Sequence, residues 1–123
     1  MKNSENTFEK LEVWKKAHQL VLEVYRITKL FPSDERFRLV DQICRSASSV
    51  SANIVEGNSR SSKKEYKQFA YQAKGSLEEL KYHLLLAKDL EYLSEGSYVK
   101  LINKANKAGM LLTGLIKYLR SKI

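Results

Sequence analysis

Eight cations in this chain stand at spacings that suit the neutralisation of phosphate. Arg60, Lys63, Lys64 and Lys67, with Lys74 further along, are opposed in that stretch only by Glu65. Lys100, Lys104 and Lys107 recur at steps of four and three, which keeps them on one helical face. Such a row meets a sugar-phosphate backbone as point charges, whereas bidentate base reading is the work of Arg. Lys outnumbers Arg sixteen to six, so the same composition also suits a solvated face that keeps the protein soluble. The charge is uneven: residues 1 to 59 carry a balance of +1, and residues 60 to 123 one of +7 within a total of +8. Nucleic acid or another acidic surface is the partner class this permits.

A second constellation is a polar row. Gln42, Arg45, Ser49, Asn53 and Glu56 recur at helical steps beside an apolar row of Ile43, Ala47, Val50 and Ile54. If the next hairpin turns near residues 58 to 61, Arg45 faces Gly75 and Ser76, Gln42 faces Glu78 or Glu79, and Glu56 faces Lys63 or Lys64. The expected structure is a polar network that pairs Arg45 with Glu78 or Glu79 and bonds Asn53 and Glu56 near the hairpin end. Networks of this kind set helix register more than they add stability. Binding of a ligand or partner is the other use of such a row.

Other chemistries lack their residues. A carboxylate metal site in a helical bundle needs Glu-x-x-His motifs, and the residues three before His18 and His83 are Lys15 and Leu80. No metal and no cofactor are expected. No glycine-rich loop precedes a helix to cradle phosphate, and two separated His give no base for a serine nucleophile. The chain reads as non-catalytic. A lone Cys44 can form no internal disulfide and reads as a small buried hydrophobe. The N-terminus shows no apolar leader and no uncharged run approaches a membrane span, so the expected location is cytoplasmic, with no membrane partner.

The elements that must position these residues are long helices. One Pro and five Gly in 123 residues leave few turns, which excludes sandwiches and barrels of short strands. After a frayed 1 to 7, apolar spacing predicts a helix over about 11 to 30, with Val13, Ala17, Leu20, Val24 and Ile27 inward and Trp14, Val21 and Tyr25 in a second row. Phe31-Pro32 stops it, and Ser33 caps a second helix over about 34 to 56, closed by Gly57. Ser62 and Glu65 form a capping box for a third helix over about 63 to 92, on which Tyr66, Ala70, Ala73, Leu77, Leu80, Leu84 and Ala87 point inward. A fourth runs from about 96 to 120, with Tyr98, Leu101, Ala105, Leu112, Ile116 and Leu119 inward and Gly109 and Gly114 marking close contacts. The fold class is all-α: one domain, an antiparallel up-down-up-down four-helix bundle. Helices three and four would then join the cations into one band, and Tyr71, Tyr82 and Tyr92, off the main stripe, would stack bases or line an oligomer interface.

Asn53-Ile54-Val55-Glu56-Gly57, Arg60-Ser61-Ser62-Lys63-Lys64-Glu65 and Gly75-Ser76-Leu77-Glu78-Glu79-Leu80, with Leu11-Glu12-Val13-Trp14 and Phe31-Pro32 upstream, resemble the bacterial four-helix bundle family of 23S rRNA intervening-sequence proteins. That family is similar in turn to the accessory variability protein of diversity-generating retroelements. The resemblance implies a ring-like homopentamer without established enzymatic activity, sometimes encoded inside rRNA insertions; the retroelement relatives bind nucleic acid and a reverse transcriptase through basic surfaces. Val55 replaces the usual Ala of the family, and Ser51 stands where many members have Pro, which removes the residue that would kink the second helix.

Overall fold

A computed structural model describes residues 7 to 123. The fraying expected at residues 1 to 7 therefore falls, except for Thr7, outside the described part, as does the start of the N-terminal stretch read for a leader. Four α-helices, α1 (Glu12–Thr28), α2 (Leu39–Asn58), α3 (Lys63–Asp89) and α4 (Glu95–Ser121), are joined by short connections, and 3-10 turns occupy Thr7–Lys10 and Ser33–Glu35. α1 packs on α2 and α4, and α3 packs on α2 and α4, while neither diagonal pair meets. This is the closed square of an up-down-up-down bundle, as the short connections require. Twenty-seven residues in α3 and in α4 give rods of about 40 Å.

The inward rows form the core. Leu20, Val24, Ile43, Val50, Ile54, Leu77, Leu80, Leu84, Leu112 and Leu119 are fully buried. Tyr66, Tyr98 and Ile27 are half-buried at the edges of their stripes. Trp14, of the second row on α1, is covered on one side by Phe8 and stacks on His18 at 4.7 Å. Val21 is buried and Tyr25 is 47% exposed.

The helix ends hold the corrections. The Ser62 hydroxyl accepts the Glu65 N–H at 3.0 Å, yet the Glu65 carboxylate turns to Arg60 at 3.8 Å instead of back to the cap. Gly57 lies inside α2, one residue before its end, and does not close it. Its use is a close approach: a Cβ there would stand 2.8 Å from Tyr66 Cδ1 and 2.9 Å from Phe69 Cβ. At Gly109 a Cβ would stand 3.3 Å from the flexible end of Leu77, a looser approach, and nothing lies within 4 Å at Gly114.

Ser33 does not cap a long second helix either. The chain makes a 3-10 turn and α2 starts at Leu39, because Glu35 is drawn into the bundle end. Its carboxylate accepts the Tyr92 hydroxyl at 2.8 Å and the Leu39 N–H at 3.4 Å, so the acid caps α2 from four residues upstream. Tyr92 arrives from the other connection. There α3 ends with Glu91 at φ 67° and a Tyr92 N–H to Ala87 carbonyl bond of 3.0 Å, the six-to-one closure of a left-handed C-terminal turn.

Candidate nucleic-acid interface

The eight cations fall into three groups on different faces. At the α2–α3 hairpin, Arg60 is occupied: it bonds Glu56 at 3.0 Å, lies 3.8 Å from Glu65 and sits 4.7 Å over the Phe69 ring. Lys63 and Lys64 are exposed beside it and Lys67 is half-buried. Lys74 lines a shallow α3–α4 groove with Glu78, Lys81, Gly109 and Met110. Lys100, Lys104 and Lys107 turn the other way, toward α1. The single α3–α4 band is thus not formed, since Lys100, Lys104 and Lys107 lie on the edge of α4 that faces α1, and Lys74 meets the opposite edge.

What forms instead is a basic groove between α1 and α4. Its larger part, about 500 Å³, is lined by Glu23, Arg26 and Ile27 from α1 and by Ser97, Lys100, Leu101, Asn103, Lys104 and Lys107 from α4. A smaller hollow of about 140 Å³ continues it along Lys104 and Lys107 to Lys16 and Gln19. Two antiparallel helices with matched rows of exposed residues leave a trough between their outer edges, and among the described residues five cations stand around it with one carboxylate. Glu23 joins both walls: it is paired with Arg26 on its own helix, and Lys104 Nζ lies 3.5 Å from its second oxygen. Lys16, Arg26 and Glu23 did not stand out in the sequence because the first half is nearly neutral on average; a helical projection of α1 alone places 16, 19, 23 and 26 on one face.

The polar row of α2 does not become the expected network. Ser49 and Ser76 share the hydrogen bond that crosses to α3, at 2.9 Å, so Ser76 meets the residue one turn later than Arg45. The reason is an axial offset: α3 begins about one turn, roughly 6 Å, beyond the end of α2. Arg45 is 78% exposed and its ion partner is Asp41 on the same helix, at 4.0 Å. Glu78 pairs with Lys81 at 3.3 Å. Glu79 lines a recess with Gln42, Arg45, Ser46 and Ser49 but bonds none of them. Asn53 donates to the Ser49 carbonyl and hydroxyl, and Glu56 takes Arg60 because the overhang carries Lys63 and Lys64 past it. Tyr92, expected as a surface ring, is committed to Glu35; Tyr71 and Tyr82 stay 45% and 59% exposed.

Shifted ionisations lie elsewhere. The Tyr92 hydrogen bond holds Glu35 below the usual carboxylate value, and the same bond raises Tyr92. Burial raises the Cys44 thiol, although Thr28, 3.6 Å away, opposes the rise; burial alone raises Tyr66. Among the described residues no three His, Cys, Asp or Glu side chains gather as metal ligands, and no helix is long and apolar enough to cross a membrane.

Residues 9–114 match the family model of the 23S rRNA-intervening sequence protein. The chain belongs to that family. A crystal structure from Bacteroides thetaiotaomicron, described as a protein of unknown function from the S23 ribosomal protein family, is similar to this intervening-sequence protein at 26% identity and a TM-score of 0.79. The likeness covers 85% of this chain and 98% of that one. No curated protein matches the sequence.

Proposed function

We propose that this intervening-sequence protein is a non-catalytic bundle that binds RNA or DNA through the α1–α4 groove, as a cytoplasmic homo-oligomer. The observation that carries the reading is the convergence of Lys16, Arg26, Lys100, Lys104 and Lys107 on one trough whose lining, among the described residues, holds a single acid, Glu23. Opposed cations on two rigid helices concentrate positive potential along a line, which is the footprint of phosphate-backbone binding. The family name, with its reference to 23S rRNA, makes structured rRNA the first ligand to test.

The test is binding of a 23S rRNA fragment and of duplex DNA across a salt series, by fluorescence anisotropy. Affinity should fall steeply with salt, and the combined variant Lys100→Glu, Lys104→Glu, Lys107→Glu should lose binding at low salt. Single neutralising variants should each flatten the logarithmic salt slope by about one. Binding indifferent to these lysines would refute the groove as the interface.

A second reading, a protein-interaction module, draws on exposed apolar side chains: Phe37 at 83%, Leu30 at 78% and Met110 at 74%. Association through such groups is insensitive to salt, which separates it from phosphate binding.

A further inference from the structure

The lining of the α1–α4 trough points to the form of nucleic acid it takes. Among the described residues no aromatic side chain lines either part of it. The exposed rings of the described residues lie elsewhere: Tyr25 borders the groove that holds Cys44, Phe37 stands on the α1–α2 connection, Tyr118 carries Lys122 at 5.6 Å, and Tyr71 and Tyr82 lie on α3, which supplies no described side chain to the trough. Unpaired bases, which proteins hold chiefly by stacking on rings, would find only the Arg26 guanidinium there to stack on. Affinity then comes mainly from charge, and charge density is higher on a duplex than on a single strand, as is the number of counterions released per phosphate neutralised. Lys100 to Lys107 spans seven residue steps, about 10 Å of helix, a length that matches about three phosphates of one strand at a rise of 3.4 Å.

Glu23 marks a phosphate position within that row. One of its carboxylate oxygens is paired with Arg26 and the other faces Lys104 Nζ at 3.5 Å, so one oxyanion is held between a cation from each wall. Its side chain is 30% exposed, against 66% for Arg26 and 50% for Lys104, so it is reachable from the groove.

We infer that the trough binds the sugar-phosphate backbone of a duplex, and that Glu23 is an internal counterion which a backbone phosphate displaces. The inference rests on the nucleic-acid reading above. A bound phosphate takes over Arg26 and Lys104 while Glu23 swings to solvent, which lowers affinity for any ligand too weakly charged to displace it. Glu23 is therefore a specificity residue that favours dense arrays of phosphate over sparse ones.

The experiment compares a 20-base-pair RNA hairpin with an oligouridylate of equal nucleotide count, on wild type and on Glu23→Gln, with circular dichroism melts to confirm that the variant folds. The hairpin should bind wild type about tenfold more tightly at low salt. Glu23→Gln should tighten hairpin binding several-fold, and should narrow the preference over oligouridylate because the competing carboxylate is gone. Equal or tighter binding of oligouridylate to wild type, or a Glu23→Gln variant that binds the hairpin no better, overturns the inference and leaves nucleic-acid binding standing. Binding of neither RNA, by either protein, overturns both.

Discussion

At the scale of single residues, the Glu35–Tyr92 bond joins the two connections at one end of the bundle, so its strength can be read from pH. Glu35 ionises below its ordinary value of 4.5, and a lowered acid contributes stability above that value and loses it as pH falls through the folded one. Tyr92 ionises above its ordinary value of 10.0, and a raised group contributes below that value and loses it as pH climbs through the folded one. The bond is at full strength between the two. Tyr92→Phe should therefore lower the melting temperature by a constant amount near neutrality, with the gap to wild type closing in acid below about 4.5 and in alkali above about 10. A gap independent of pH would remove Glu35 as the partner. Arg45 makes the opposite case: an exposed ion pair within one helix contributes little. Arg45→Met should change stability by no more than about 0.5 kcal/mol in denaturant melts.

Among the elements, α2 and α3 are fitted through Gly57, where the Tyr66 ring and the Phe69 Cβ leave no room for a methyl group. Phe69 Cβ is fixed to the backbone and cannot swing away, so Gly57→Ala should destabilise by about 1–3 kcal/mol through overpacking. Gly75 sits on the outer face of α3 with nothing within 4 Å, and Gly75→Ala should stabilise by about 1 kcal/mol from helix propensity alone. Gly75, inside α3, reports the backbone gain and Gly57, next to the end of α2, the cost of contact, so urea titrations of the pair should give shifts of opposite sign. The same offset between α2 and α3 places Gly57 against Tyr66 and Ser49 against Ser76, so one axial shift explains both contacts.

For the whole molecule, the exposed apolar groups set the expectation for assembly. Leu30 and Phe37 stand on the α1–α2 connection, next to a groove of about 400 Å³ lined by Tyr25, Phe31, Val40 and Cys44. We propose that this end of the α1–α2 face is the contact between copies, in keeping with the homopentamer that the family resemblance implies. Sedimentation of Phe37→Ser should show a smaller species than wild type at equal concentration, and no change would move the interface elsewhere. The basic trough lies on the α1–α4 face, so an assembly through α1–α2 leaves it open to a phosphate backbone.

Four helices, their inward rows and the Ser62 cap were legible in the residues because helical periodicity and capping are local: each depends on side chains within a turn or two of one another. The Asn-Ile-x-Glu-Gly core was legible too, but as a family mark rather than as a network. Facing partners were not, because the register of α2 on α3 is decided by an overhang that no local pattern encodes. Nor was the trough, which needs α1 and α4, at opposite ends of the chain, to meet; only closure of the square brings Lys16 and Arg26 to Lys104. Glu35 is the same lesson in a buried acid. Its neighbours in sequence make a turn, and a tyrosine 57 residues away decides that it points inward.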